Sequence, residues 1–328
     1  MKFSPEVTCI GEALIDFVST KRGANLSNAP GFLKLAGGAS ANVAVGIARL
    51  GTRSAFVGKV GDDPFGKFLQ RELTGHGVDA SGMRFDTNHR TRLAFVSISK
   101  SGDRDFEFWE KSPADEWLLP ADVDFKKLSR STIVAMSSFL LIKEPSRTSF
   151  FRIAKKLRRA GTMIAFDPNI RLSLWHSPDE ARKIMLKAIG LSHVVRMNEE
   201  EVRFLAKADG VEAAAGALLT LGPELVVITL GKEGSYFRTS DHSGFMKGHE
   251  VNAVDTTGCG DGFFAGLLHG LVQSRKTVKE LALSEIASLC VEANAVGALA
   301  ATRSGAIPAL PGAAAVKRFL KTKKEKKR

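Results

Sequence analysis

The sequence is poor in cysteine and tyrosine. Its 328 residues contain three cysteines, Cys9, Cys259 and Cys290, and a single tyrosine. The cysteines form no Cys-x-x-Cys pair, and the seven histidines are dispersed. Structural zinc sites and disulfide frameworks place such residues at short, regular spacings. The pattern therefore argues against both kinds of site and favours a reducing compartment.

Long apolar runs are absent as well. No uninterrupted apolar stretch reaches the length of about 18 residues that spans a bilayer. Glu6, Glu12 and Asp16 interrupt the first apolar run, which is unlike a secretion signal. With 44% hydrophobic residues, the chain can still build a sizeable core. These features predict a cytoplasmic globular protein without a membrane partner.

Positive charge is in excess, with a formal net charge of +12. The last twelve residues, 317–328, hold eight basic residues and one acid and so contribute +7 of it. Like-charge runs are usually solvated, which favours a disordered tail over a nucleic-acid arm that would bind in a salt-sensitive way. No repeat or low-complexity linker divides the rest, which predicts a single domain at 1–316.

Short apolar runs alternate with longer amphipathic stretches. The runs predict strands at 7–11, 54–60, 132–136, 163–167, 193–197 and 224–230. The amphipathic stretches predict helices at 41–50, 64–76, 146–160, 179–188, 199–206, 260–271 and 278–300. This order predicts an α/β fold in which helices cover both faces of a mostly parallel sheet.

Two segments, at about 13–36 and 92–110, break this alternation. The second predicts a hairpin, because two β-rich runs flank the turn Ser101-Gly102-Asp103-Arg104. Phe106 and Phe108 alternate with acids, so one face of the hairpin is apolar. It could be an edge hairpin of the main sheet, but a small β lid over a ligand site is favoured. Its edge strands also suggest a homodimer formed through the lid.

Two glycine-containing segments come close to nucleotide-binding patterns and fail. Residues 61–68 match the P-loop until Phe68, which has no hydroxyl to offer a magnesium ion. Residues 258–263 begin like a dinucleotide fingerprint, but Phe263 takes the place of the third glycine. A nicotinamide dehydrogenase is therefore a weak alternative.

The segment 255–263, Asp-Thr-Thr-Gly-Cys-Gly-Asp-Gly-Phe, precedes an apolar helix and is the most informative in the chain. The small residues Gly258, Cys259 and Gly260 would let the N–H groups of a helix N-terminus approach an anion such as a transferring phosphoryl group. Asp261 beside them could accept a proton from an attacking hydroxyl. The alternative is that Asp261 caps the helix and the glycines form a turn.

At this point the chain resembles the ribokinase-like (PfkB) family of carbohydrate kinases. Residues 255–261 match the family's C-terminal signature, Asp-Thr-x-Gly-x-Gly-Asp, and residues 37–42 begin its N-terminal one. The resemblance runs from about residue 7 to residue 311, and within the family fructokinases are most similar, as in the segments 82–86, 92–96, 112–115 and 171–175. It implies a three-layer α/β/α sandwich with a small β lid, and an ATP-dependent sugar kinase with Asp261 as its base.

The resemblance also implies residue roles on the sugar side. The residues that would hold the sugar are Asp16, Gly37, Gly38, Asn42, Phe95, Arg171 and Asp261. Carboxylate and amide groups suit a polyol, because together they donate and accept hydrogen bonds. Taken alone, Asp16 would be read as a surface acid and the glycine pair as a turn.

On the nucleotide side, the resemblance implies sites for ATP and for cations. The residues that would line ATP and its phosphates are Asn169, Asn198, Thr229, Gly231, Gly234, Gly258, Gly260 and Asn294. Glu201 would hold Mg²⁺ through water, and Asp255 with Thr257 would belong to a monovalent-cation loop, which makes K⁺ a candidate activator. Alternatively, Asn198 and Glu201 only cap a helix, and Asn294 only interrupts one.

Two expectations concern chemistry and substrate. A carboxylate at a helix N-terminus should have a lowered pKa, which would make Asp261 a weak base. Fructokinases usually carry Tyr-Arg in the second lid strand, where this chain has Trp109-Glu110, and its one tyrosine, Tyr236, lies far away in sequence. D-fructose, giving fructose 6-phosphate, is thus favoured over an acidic keto-deoxy sugar. A ribose or nucleoside kinase and a non-catalytic regulatory relative remain alternatives.

Overall fold

A computed structural model describes residues 5–98 and 104–325. Its strands are β1 (Val7–Ile10), β2 (Leu14–Ser19), β3 (Phe32–Gly37), β4 (Ser54–Gly61), β5 (Asp79–Asp86), β6 (Leu93–Ile98), β7 (Arg104–Phe108), β8 (Ile133–Ser137), β9 (Met163–Asp167), β10 (Val194–Asn198), β11 (Leu225–Thr229), β12 (Gly234–Arg238) and β13 (Ser243–Lys247). Its α-helices are α1 (Ala39–Arg49), α2 (Pro64–Gly75), α3 (Phe125–Leu128), α4 (Ser146–Arg159), α5 (Pro178–Ile189), α6 (Glu199–Ala206), α7 (Val211–Leu219), α8 (Cys259–Ser274), α9 (Leu283–Ala300) and α10 (Ala313–Glu325).

The main sheet has nine strands in the order β13-β12-β11-β10-β9-β8-β1-β4-β5. All neighbours from β11 to β5 pair in parallel, and β12 and β13 add an antiparallel edge. After β1 the chain builds outward through β4 and β5, and it later returns to place β8 on the other side of β1. Such a reversal opens a crevice at the carboxyl ends of the strands, which is where open α/β sheets bind ligands.

Two apolar cores flank this sheet. One packs α1, α8 and α9 against strand residues such as Val7 and Phe56, and the other packs α4 to α7 against the opposite strand face. The central strands read as continuous apolar runs because both of their faces are covered. The predicted three-layer α/β/α sandwich with a mostly parallel sheet is confirmed.

A separate four-stranded sheet, β3-β2-β6-β7, forms the lid. β2 pairs antiparallel with β3 and parallel with β6, and β6 pairs antiparallel with β7. The hairpin is therefore part of a second sheet and not an edge of the main one. Residues 101–103 of the predicted turn lie outside the described residues.

Several elements differ from the prediction. Residues 278–300 form a short 3₁₀ turn at Val278–Glu280 followed by α9, instead of one helix. The strands β12 and β13 and the alanine-rich α7 were not predicted. The expected disorder of 317–328 is wrong as far as residue 325, because Val316, Phe319 and Leu320 of α10 pack against α9.

By length and composition α9 could cross a membrane, and it is the one helix among the described residues that could. Half of it is buried inside the fold. Ala293 and Val296 lie directly against Gly266 of α8, where an added Cβ would lie 3.0 Å from both, closer than ordinary van der Waals contact. In this structure α9 is a core helix.

Candidate active site

A cavity of about 650 Å³ lies between the lid, the carboxyl ends of the central strands and the start of α8. Its lining joins residues that are far apart in sequence. They are Glu12, Leu14, Asp16, Gly38, Ala39, Asn42, Phe106, Phe108, Phe139, Asn169, Arg171, Arg196, Asn198, Glu200, Thr256, Thr257, Gly258, Gly260 and Asp261. The cavity therefore coincides with the crevice that the strand order predicts.

The two signature segments meet in this cavity. Asn42, in the first turns of α1, donates a hydrogen bond of 2.7 Å from Nδ2 to Oδ2 of Asp261. Its own Oδ1 is buried and has no hydrogen-bond partner among the described residues. A buried acceptor of this kind is costly unless a ligand satisfies it. The amide can thus hold Asp261 in place and accept from a bound hydroxyl.

Each glycine of the pair before α1 is required for a different steric reason. A Cβ on Gly37 would overlap the carboxylate of Asp16, so this glycine makes room for that side chain. Gly38 has a φ of 100°, and its Cβ would lie 2.7 Å from the carbonyl oxygen of Glu12. Gly37 therefore lets Asp16 approach the start of α1, and Gly38 lets the backbone at Glu12 do so.

The start of α8 has the backbone geometry that the predicted anion site requires. Gly258 is its N-cap residue with a φ of 72°, and a Cβ there would lie 3.0 Å from Cα of Ala306. The N–H of Cys259 bonds to the carbonyl of Thr256, whereas helix geometry leaves those of Gly260 and Asp261 without intrahelical acceptors. Burial and nearby carboxylates raise the pKa of the Cys259 thiol to about 12, so it remains neutral.

The pKa of Asp261 is raised and not lowered, which corrects the expectation from the helix N-terminus. Burial is the largest cause. The hydrogen bond from Asn42 and the positive charges of Arg196 and Arg171 oppose it, but they do not reverse it. A raised pKa makes Asp261 a better proton acceptor than a free aspartate.

One face of the lid sheet lines the cavity, and the other face points away from it. Asp16 pairs with Ala94, and Phe17 pairs with Phe95, so alternation places Asp16 and Phe95 on opposite faces. Asp16 lines the cavity, whereas Phe95 stacks on Phe17 with ring centroids 5.2 Å apart. Phe95 therefore lies away from the cavity in this structure, which argues against the predicted contact with the sugar.

Trp109 also lies on this outer face of the lid. It packs against Phe95 and is 62% exposed. Neither Trp109 nor Glu110 lines the cavity. The substitution at the usual Tyr-Arg position consequently changes the outside of the lid, while Phe106 and Phe108 form its cavity side.

Two residues after β9 reach the cavity. Asn169 has a φ of 36°, and its N–H bonds to Oδ1 of Asp167, so the chain turns sharply here. Arg171 follows and lies over the ring of Phe106, 5.6 Å from its centroid. Arg171 lines the same cavity as Asp261, and its positive charge partly opposes the effect of burial, which raises the pKa of Asp261.

Asn198 and Glu201 form a reciprocal capping box at the start of α6. Oδ1 of Asn198 accepts from the N–H of Glu201, and Oε2 of Glu201 accepts from the N–H of Asn198. Oε1 of Glu201 accepts from the N–H of Ile170. The capping interpretation is thus correct, and Asn198 with Glu200 faces the cavity. Each oxygen of Glu201 retains a second lone pair, so the water-mediated magnesium role stays a prediction.

The predicted nucleotide residues lie along β11 and the hairpin that follows it. Thr229 ends β11, and Gly231 and Gly234 both have positive φ. Asn294 donates a hydrogen bond of 3.2 Å to the carbonyl of Met246, the same carbonyl that a Cβ on Gly234 would overlap. The structure therefore brings Gly234 and Asn294 together, but both lie outside the lining of the cavity.

Asp255 organises the loop before α8. Its Oδ1 accepts from the N–H and the hydroxyl of Thr257, and its Oδ2 accepts from the N–H of Gly305. The N–H groups of Val254 and Asp255 both bond to the carbonyl of Ala301. These contacts join the two loops that the predicted cation site requires.

Three charged residues of the cavity lining, Glu12, Arg196 and Glu200, were missed, and the first two belong to buried segments. Glu12 follows β1, is fully buried and accepts from the N–H of Ser40 and the hydroxyl of Ser137. Burial raises its pKa to about 7. Arg196 lies in the middle of β10. A lone charge within or directly after an apolar strand was the available signal.

Comparison with known proteins agrees with this geometry. The model of the pfkB family of carbohydrate kinases matches residues 4–313. The chain is 42% identical over 315 residues to the probable fructokinase-6, chloroplastic, of Arabidopsis thaliana, covering 95% of this chain and 82% of that protein. The fructokinase of Vibrio cholerae O395, solved with fructose, ADP and a calcium ion, superposes with a TM-score of 0.85 at 37% identity, covering 96% and 98%. That of Xylella fastidiosa, solved with bound ATP, gives 0.88 at 30%, covering 97% and 98%.

Proposed function

This chain belongs to the pfkB family of carbohydrate kinases and is an ATP-dependent sugar kinase, and we propose that its acceptor is D-fructose, which it converts to fructose 6-phosphate. The observation that carries the proposal is the hydrogen bond of 2.7 Å between Asn42 and Asp261. It places an amide suited to binding sugar hydroxyls next to the carboxylate at the start of α8. Fructose is named as the bound sugar of the Vibrio cholerae relative.

In the proposed reaction the acceptor hydroxyl lies between Asp261 and the γ-phosphate of ATP. Its oxygen bonds to the γ-phosphorus, the bond from that phosphorus to the β-γ bridging oxygen breaks, and ADP leaves. The hydroxyl proton passes to Asp261, whose raised pKa suits this role. The N–H groups of Gly260 and Asp261 would stabilise charge on the phosphoryl oxygens.

Charges at the sugar end favour a neutral acceptor. Asp16 and Glu12 both line the cavity there, and Leu14 with the lid phenylalanines makes the rest of that wall apolar. A carboxylate on the sugar would be repelled by Asp16 and would find no tyrosine, because Tyr236 is buried in β12.

The oxygen atoms at the start of α6 also suit a hard cation. Magnesium prefers oxygen ligands, keeps several waters and is held by one or two carboxylates with substrate phosphates. Glu200 on the cavity wall and Glu201 beneath it offer such carboxylates, and Asn198 adds an amide oxygen nearby. We propose that they hold Mg²⁺ through water, where it would neutralise phosphate charge, and that the Asp255–Thr257 loop takes K⁺.

A panel of acceptors tests the substrate. ADP release is measured with ATP and Mg²⁺ for D-fructose, D-ribose, a purine nucleoside and 2-keto-3-deoxygluconate, each with and without K⁺. We expect the largest kcat/KM with fructose and a higher rate with K⁺. A larger kcat/KM for the acidic sugar would overturn the choice of fructose, and no turnover with any acceptor would favour a regulatory protein.

We also propose a homodimer formed through the outer face of the lid. Phe17, Phe32 and Phe95 form an aromatic cluster there, and Trp109 extends it into solvent. Light scattering should give twice the monomer mass of 35.3 kDa for the wild type and a monomer for Trp109→Lys. Leu221→Lys, at an exposed apolar residue elsewhere on the surface, is the control and should stay dimeric. A monomeric wild type at every concentration would contradict the proposal.

For the cell compartment we propose the cytoplasm. The three cysteines are free, and two of them, Cys9 and Cys290, are buried. Free thiols and a dependence on ATP both suit a reducing, nucleotide-rich compartment.

A further inference from the structure

Arg196 is an unusual residue for the centre of a sheet. Its neighbours in β10, Val194, Val195 and Met197, are fully buried and apolar, and Arg196 itself is only 8% exposed. Withdrawing a guanidinium from water is costly unless charged partners surround it. Its exposed part opens into the cavity that holds Asp261. The burial of this charge is therefore connected with the cavity.

The guanidinium joins the carboxyl ends of three strands. Nη1 donates to Oδ2 of Asp167 on β9 at 3.0 Å, and Nη2 donates to the hydroxyl of Thr229 on β11 at 2.7 Å. Nε is buried and has no hydrogen-bond partner among the described residues. A guanidinium has five N–H bonds, so these two contacts leave donors available.

The same group packs against the anion site. A Cβ on Gly260 would lie 2.7 Å from both Nη1 and Nη2 and 3.0 Å from Cζ. The guanidinium thus occupies the space beside the first turn of α8 where the side chain of residue 260 would otherwise be. This contact explains why the second glycine of the segment is required.

We propose that Arg196 is a further catalytic residue, which donates from its remaining N–H groups to the transferring phosphoryl group beside the N–H groups of α8. A planar guanidinium matches phosphoryl oxygens and retains its charge. Asp167 and Thr229 are then positioning residues that orient it. The inference rests on the phosphoryl position proposed above.

Arg196 also sets the electrostatics of the base. The groups that act on Asp261 are Arg196 on β10, Arg171 after β9, Glu201 on α6 and Asn42 on α1, with Asp167 bonded to Arg196 itself. Burial would lower the pKa of Arg196, but Asp167, Glu201 and Asp261 reverse this, so it stays charged. Removing its charge should raise the pKa of Asp261 further. In the plot of kcat/KM against pH, the fall in activity on the acidic side (the acidic limb) should then move to higher pH.

The test compares Arg196→Met with Arg196→Lys and with Arg238→Met, in assays with ATP, Mg²⁺ and fructose. Arg238 lies on β12 of the same sheet, also has a buried Nε without a partner among the described residues, and does not line the cavity. For Arg196→Met we expect kcat about 100-fold lower, KM for fructose nearly unchanged and the acidic limb at higher pH. Arg196→Lys should recover the position of the limb but only part of kcat, and Arg238→Met should behave as wild type.

A merely structural arginine would give a different result. If folded Arg196→Met keeps kcat within about threefold and an unmoved acidic limb, the inference is wrong. If that variant does not fold because Asp167 is left unpaired, the double variant Asp167→Asn/Arg196→Met is measured by the same criteria. If neither of these variants folds, the result for Arg196→Lys, which keeps the charge, decides the matter. Wild-type kcat in Arg196→Lys would contradict the role proposed for the planar guanidinium. An inactive wild type would instead refute the proposed function.

Discussion

Replacing Asp261 with asparagine should lower kcat about 1,000-fold, the largest effect that we expect from any single substitution. The amide has nearly the same shape and can still accept from Nδ2 of Asn42, so the site should remain assembled. It cannot take the proton of the acceptor hydroxyl. The KM for fructose should therefore change little, and the loss should appear in kcat in a coupled assay of ADP release.

The pH profile provides a second readout of the same residue. The base acts when ionised, so protonation at low pH must reduce kcat/KM. Because burial raises the pKa of Asp261, the acidic limb should lie at higher pH than that of a free aspartate, and the active range should be narrower on its acid side. Asp261→Asn should lack this limb. A variant that retains wild-type kcat, or the same limb, would show that Asp261 is not the base.

Replacing Gly260 with alanine should lower kcat about 100-fold, comparable to the loss of one anion-site donor. The new Cβ would lie 2.7 Å from the two terminal nitrogens of Arg196, which Asp167 and Thr229 hold in place. Either the guanidinium or the first turn of α8 must then move. Such overpacking should also cost about 1–3 kcal/mol of the free energy of unfolding, measured by denaturant titration.

Gly262→Ala is the matched control, two residues further along the same helix. The nearest atom to its Cβ would be Cδ2 of Leu310 at 3.3 Å, the end of a flexible side chain. Alanine stabilises a helix interior by about 0.5–1 kcal/mol relative to glycine. This variant should keep kcat and gain or retain stability. If Gly260→Ala and Gly262→Ala behave alike, the contact between residue 260 and Arg196 has no catalytic consequence.

The layered fold could be predicted because alternating apolar runs and amphipathic stretches record which faces are covered. β9 and α6 have the predicted bounds, 163–167 and 199–206. The C-terminal tail was misjudged because its charge hides an apolar stripe of Val316, Phe319 and Leu320. The strand β13 was missed because it is a partly exposed edge with a weak apolar pattern, whereas β12 beside it is buried at all but its last residue.

The candidate site shows a similar division. The segments that hold Asn42 and Asp261 could be recognised from small residues next to polar ones. The face of Phe95 could not be, because it depends on how β2 and β6 pair in the lid. The pKa of Asp261 was predicted in the wrong direction because a helix N-terminus is visible in sequence, whereas burial is not. Arg196 was missed because its partners, Asp167, Thr229 and Gly260, come from three other elements.

A crystal structure with fructose and a non-hydrolysable ATP analogue would test the placement of the chemistry most directly. The measured quantity is the distance from the acceptor hydroxyl oxygen to the nearer carboxylate oxygen of Asp261. We expect about 2.6–3.2 Å, with the terminal phosphate of the analogue against the first turn of α8. A sugar bound away from Asp16 and Asn42, or a terminal phosphate remote from Gly260, would contradict the account.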